Sequence, residues 1–101
     1  MKFEIKNKNL DFEKLILRCG YRKIFDKKTG KESFVHRAGI YSFPRFHLYI
    51  IKKTPEKIIL NLHLDQKKVS YPGSPAHSAD YDTEAVKKEV ERIKNFLEKL
   101  T

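Results

Sequence analysis

The chain has 101 residues, 40% of them hydrophobic and 35% charged, with a formal net charge of +9 and a pI near 9.7. That length suits one domain, residues 1–101, with a single core, and the composition excludes a disordered tail. No apolar run is long enough for a membrane span, and the opening "MKFEIKNKNL" lacks the apolar stretch of a secretory leader.

In chain order, "MKFEIKN" alternates, with Phe3 and Ile5 on one side, and predicts a short strand. "NLDFEKLILRCG" predicts a helix capped by Asn9, striped by Phe12, Leu15, Ile16 and Cys19, and stopped by Gly20. "YRKIFDKKTGKESFVHR" reads as a hairpin turning at Asp26–Gly30. "AGIYSFP" is irregular, because Gly39 and Pro44 both interrupt pairing. Two further strands follow at 45–53 and 57–65. "QKKVSYPGSPAHSADYD" is expected as a long loop, and loops of that length are often functional. The last helix is expected over 83–100, capped by Asp82, with Val86, Val90, Ile93, Leu97 and Leu100 as its core stripe.

The order β-α-β-β-β-β-α predicts an α+β two-layer sandwich. It has an antiparallel sheet of four to five strands, with the N-terminal and C-terminal helices packed on one face. The other face is then open to solvent or a partner. The sheet edges are candidate contacts for a homo-oligomer. The single Cys19 cannot form an internal disulfide and reads as a small buried hydrophobe in a reducing compartment, so the cytoplasm is the expected location.

Charge is concentrated. Between Lys14 and Lys68 stand fourteen Lys/Arg against four acids, whereas from Thr83 onward the count is five against four. The sheet region therefore carries the excess, which suits a polyanionic partner, most often nucleic acid.

Alternation places the site candidates. Phe46, Leu48 and Ile50 form the apolar side of one strand; Leu60, Leu62 and Leu64 form that of the next. Residues paired across an antiparallel ladder share a face. A three-residue turn, Thr54-Pro55-Glu56, satisfies this parity and sets Arg45 opposite Asp65, His47 opposite His63 and Tyr49 opposite Asn61. A five-residue turn also satisfies it, pairing His47 with Asp65 and Tyr49 with His63. A two- or four-residue turn requires a bulge.

Two imidazoles and a carboxylate at that range suit general acid–base chemistry or a transition metal, with Zn²⁺ the candidate cofactor. The candidate catalytic or metal-ligating set is His47, His63, Asp65 and, from the long loop, His77. Cations and exposed aromatics on a sheet equally suit RNA. That set is Arg37, Arg45, Tyr49, Lys52, Lys53, Lys57, Asn61, Lys67, Lys68 and Tyr71. No P-loop, GxGxxG, GxSxG, HExxH or paired CxxC is present. The expected function is a small basic RNA-binding domain, with a small hydrolase or phosphodiesterase centred on the histidines as the alternative.

The order of helix, strands and helix is similar to that of double-stranded-RNA-binding domains and of the small HicA-type RNA-cleaving toxins. The toxins share a helix ending in Gly-aromatic, here "CGY", and a histidine on a following strand. His47 stands in "PRFHLY" rather than in the Gly-Ser-His block of those toxins, and the last helix begins "DTEAV" without the basic start of the RNA-binding domains. The likeness is one of topology, and no residue role is carried over from it.

Overall fold

The computed structural model describes residues 1–27, 29–67, 78–80 and 83–99, with only the backbone of Lys67 and of 78–80. The elements are β1 (Lys2–Lys6), α1 (Phe12–Arg18), β2 (Arg22–Asp26), β3 (Lys31–Arg37), β4 (Arg45–Lys53), β5 (Lys57–Lys67), β6 (Ser78–Asp80) and α2 (Glu84–Glu98). This is an α+β chain built on an antiparallel sheet in the order β1-β5-β4-β3-β2, with β6 also paired to β5. Among the described residues no helix is long and apolar enough to cross a membrane.

The strand with the most partners is β5, which pairs with β1, β4 and β6. One side pairs with β4 along most of its length. The other side is shared: β1 covers the first half, from Lys6↔Lys57 to Lys2↔Asn61, and β6 covers the second, from Leu64↔Asp80 to Lys67↔Ser78. The loop expected from Gln66 onward is therefore cut at both ends. Once β1 ends, the outward backbone groups of β5 need partners, and a returning strand supplies them.

Helix starts lie later than expected. Asp11, not Asn9, caps α1, with its Oδ1 accepting from Lys14 N at 3.3 Å. Asn9 takes φ 59°, a turn conformation that asparagine tolerates better than most residues. Thr83 caps α2, accepting from Val86 N at 3.4 Å; Asp82, the expected cap, lies outside the described residues. Hydroxyl and carboxylate caps do the same job, so an Asn-Leu-Asp or Asp-Thr run leaves the choice to tertiary packing.

The buried apolar residues of both helices join one core cluster with the apolar face of the sheet. Phe12, Ile16, Val86, Val90 and Ile93 pack with Phe3, Phe34, Leu48, Ile58, Leu60, Leu62 and Leu64. Burying each Leu or Ile completely contributes about 1.5–3 kcal/mol. A polar clasp holds α2 to the α1–β2 corner. Tyr21 donates to buried Glu89 Oε2 at 2.5 Å, and Arg92 grips both Glu89 oxygens at 2.7 and 2.8 Å while donating to Cys19 O at 2.9 Å.

The β4–β5 turn is the informative departure. Lys53 pairs with Ile58, so the connection has four residues, Thr54 to Lys57, rather than three. It is closed by Thr54 N donating to Lys57 O at 2.8 Å and Lys57 N donating to Thr54 Oγ1 at 3.0 Å. Alone, that turn would place polar residues opposite apolar ones. A register shift between Ile50 and Lys52 corrects it, leaving Ile51 as the extra residue of a β-bulge. Beyond the bulge the rungs are Tyr49↔Asn61, His47↔His63 and Arg45↔Asp65.

Candidate functional site

On the sheet face opposite the core cluster, the pairings set residues in rows. One row runs Arg22–Val35–His47–His63, and its neighbour runs Arg37–Arg45–Asp65. The histidine row crosses β4, which has β3 on one side and β5 on the other, and ends on β5 at His63, between the stretches paired with β1 and with β6.

His47, His63 and Asp65 converge. His47 Nδ1 lies 3.0 Å from Asp65 Oδ2, and His63 Nε2 lies 2.9 Å from Asp65 Oδ1, the latter a close approach rather than a well-aligned hydrogen bond. Each residue offers a metal-ligand atom, all within 4.8 Å of one another. Arg45 Nε donates to Asp65 Oδ2 at 3.3 Å. The Tyr49 ring stacks on His47 at 4.3 Å between centroids, and its hydroxyl lies 3.3 Å from His47 Nδ1.

These groups were expected on an open face, and their exposure differs from that. Asp65 is 1% exposed, His63 6% and His47 7%. Part of the cover is local: the Tyr49 ring lies against one imidazole and Arg45 reaches over the carboxylate. Alternation identifies the face on which a residue stands; it carries no information on what lies over that face. Burial pushes the Asp65 carboxyl up, but the contacts and charge of His47 and His63 outweigh it and hold the group far below the usual carboxylate range.

Ser33 belongs to this site and was missed in the sequence. Its buried Oγ lies 2.7 Å from His47 Nε2. The signal was available in "KESFVHR": Phe34 faces the core, so Ser33 faces the histidines. His36 is separate. It pairs with Phe46, and its Nδ1 lies 2.9 Å from Gly20 O. Gly20 has φ 107°, and a Cβ there would meet the His36 ring at 3.0 Å, so glycine is required at that corner.

The basic candidates spread along the molecule. Arg37 stands directly opposite Arg45 and is exposed; the loop joining them carries Ile40 at 83% and Tyr41 at 74% exposure. Arg45 also lies over the Phe43 ring, 4.6 Å from its centroid. Lys52 and Lys57 lie at the far end of the β4–β5 hairpin, about 23 Å away at 3.3 Å per residue. The bulge turns Lys52 to the Asn61 face and Lys53 to the other. Lys57 pairs with Glu4 at 3.5 Å. Asn61 Oδ1 accepts from the Met1 amino group at 3.2 Å. His77, Lys68 and Tyr71 lie outside the described residues, as does the side chain of Lys67.

No protein-family model matches this chain, and no curated protein or solved structure matches it.

Proposed function

We propose that this chain binds nucleic acid, single-stranded RNA in preference to duplex DNA, along the sheet face opposite its helices. In this reading the two helices form one layer on the apolar face and leave the other for the ligand. The observation that carries it is the direct opposition of Arg37 and Arg45. Like charges facing each other across a ladder destabilise a sheet. Asp65 answers Arg45, while Arg37 has exposed Ile40 and Tyr41 beside it in the following loop. A phosphate between the arginines relieves the repulsion, and Tyr41 offers a face on which a base can stack. Arg22, Lys52 and Lys57 extend the same side with further cations.

Fluorescence anisotropy with a labelled single-stranded RNA, repeated from 50 to 200 mM salt, tests this. Four phosphate contacts give a log–log slope of about −2.8, a loss of roughly 50-fold over that range. Absence of binding at 50 mM salt, or affinity indifferent to salt, overturns it.

The second reading is a small hydrolase or phosphodiesterase. It is favoured by the convergence of His47, His63 and Asp65, with Arg45 to stabilise an anion and His77 as a further candidate. It ranks below RNA binding because imidazoles 6–7% exposed are out of reach of a polymeric substrate without rearrangement. Cleavage of the labelled RNA, abolished by His47→Gln, would reverse the ranking.

A further inference from the structure

We propose that His47, His63 and Asp65 form a binding site for a divalent transition-metal ion, Zn²⁺ foremost. The site is built from His47 Nδ1, His63 Nε2 and the Asp65 carboxylate.

Distance is the first argument. Zinc bonds of 2.0–2.1 Å in a tetrahedron place neighbouring ligand atoms about 3.3 Å apart. His47 Nδ1 and Asp65 Oδ2 are 3.0 Å apart, and His63 Nε2 and Asp65 Oδ1 are 2.9 Å apart. All three ligand atoms fit within 4.8 Å. The two histidine–carboxylate spacings need only tenths of an ångström of adjustment and the widest separation in the set, up to 4.8 Å, closes by about 1.5 Å, on paired strands rather than on loops.

The surrounding groups are the second argument. A ligating histidine almost always donates its other ring N–H to a fixed acceptor, which sets the tautomer. With Nδ1 on the metal, His47 Nε2–H faces Ser33 Oγ at 2.7 Å, and that hydroxyl is buried. Ligating carboxylates are likewise hydrogen-bonded, and Arg45 Nε holds Asp65 Oδ2 at 3.3 Å. The Tyr49 hydroxyl lies 3.3 Å from His47 Nδ1.

Donor chemistry is the third. Two imidazoles and one carboxylate suit zinc or ferrous iron better than the hard ions calcium and magnesium, which take oxygen ligands. Two neutral imidazoles and one carboxylate leave a bound dication with one net positive charge. The site therefore adds to the basic character of this face.

The test is titration of the untagged full chain, stripped with a chelator, with Zn²⁺ by calorimetry and with Co²⁺ by visible absorption. One ion per chain is expected, with the visible bands of a low-coordinate cobalt site displaced by Zn²⁺. Ser33→Ala is expected to weaken binding about 10–100-fold. His36→Gln, on the other face, is expected to leave it unchanged. Because replacing Asp65 can unfold the chain, ¹⁵N spectra of the wild-type imidazoles supply the second readout. Zn²⁺ should shift His47 Nδ1 and His63 Nε2 and leave His36 where it was. The proposal is overturned by no binding at millimolar Zn²⁺, or by binding that moves other imidazoles and spares these two. None of these readouts depends on RNA.

Discussion

His47 and His63 are direct cross-strand partners, and they address different oxygens of one carboxylate, that of Asp65. The arrangement depends on a bulge four residues from His47. Were Ile51 paired in the ladder instead of bulged out of it, the four-residue turn would set His47 opposite Leu64 and send one of the two imidazoles to the core side.

Deleting Ile51 is therefore expected to preserve the site. The deletion removes the bulge, brings Lys52 into regular sequence with Ile50, and leaves the His47↔His63 rung in register. Cross-strand nuclear Overhauser effects between the His47 and His63 backbones should persist. Their loss would show that the bulge holds the hairpin in some way other than parity.

Much of this was legible in the sequence. Alternation in "RFHLYI" and "IILNLHLD" fixed the faces, and parity left two registers, one of which holds the three observed rungs. The turn length did not follow, because a bulge and a turn residue trade against each other without changing parity. Strand β6 left no signal: "SAD" has none of the β-branched or aromatic residues that mark strands, and it pairs because the β5 edge needs partners. The burial of the patch was equally invisible.

Asp65→Ala is expected to destabilise the chain by about 3–5 kcal/mol, the cost of removing one member of a buried charged network. Asp65 is 1% exposed, with both imidazoles and Arg45 directed at it. Urea unfolding of the metal-stripped protein measures this. A change below 1 kcal/mol would mean that the network contributes no stability.

Tyr21 gives an alkaline signature. Burial first, and then the negative charge of Glu89, push its phenol far above the usual range. The folded state retains this proton while the unfolded chain, with a tyrosine pKa near 10, releases it. The folded pKa is raised, so the stability is complete below pH 10 and is lost as pH rises beyond it. Tyr21→Phe should flatten the alkaline limb of the stability profile. It should also cost about 1.5 kcal/mol at neutral pH, for the lost hydrogen bond to a buried carboxylate. Urea midpoints from pH 7 to pH 11 measure both effects.

Arg37→Ala separates binding from stability. Removing one of two directly opposed arginines should leave folding unchanged or improve it by a few tenths of a kcal/mol. The same change should weaken RNA binding and reduce the salt slope by about 0.7. Melting curves and anisotropy on one preparation check the two together. A variant that melts earlier yet binds RNA as before would remove Arg37 from the interface.

The most direct test of the central claim is a ¹⁵N–¹H titration of the full chain with a short single-stranded RNA at 50 mM salt. RNA binding by the basic face predicts shifts concentrated at Arg37, in the 38–44 loop around Tyr41, and at Arg45, with smaller ones at Lys52. The exposed helix positions Lys87, Lys88 and Glu91 should remain unmoved. Shifts confined to the helices, or none at saturating RNA, would contradict it.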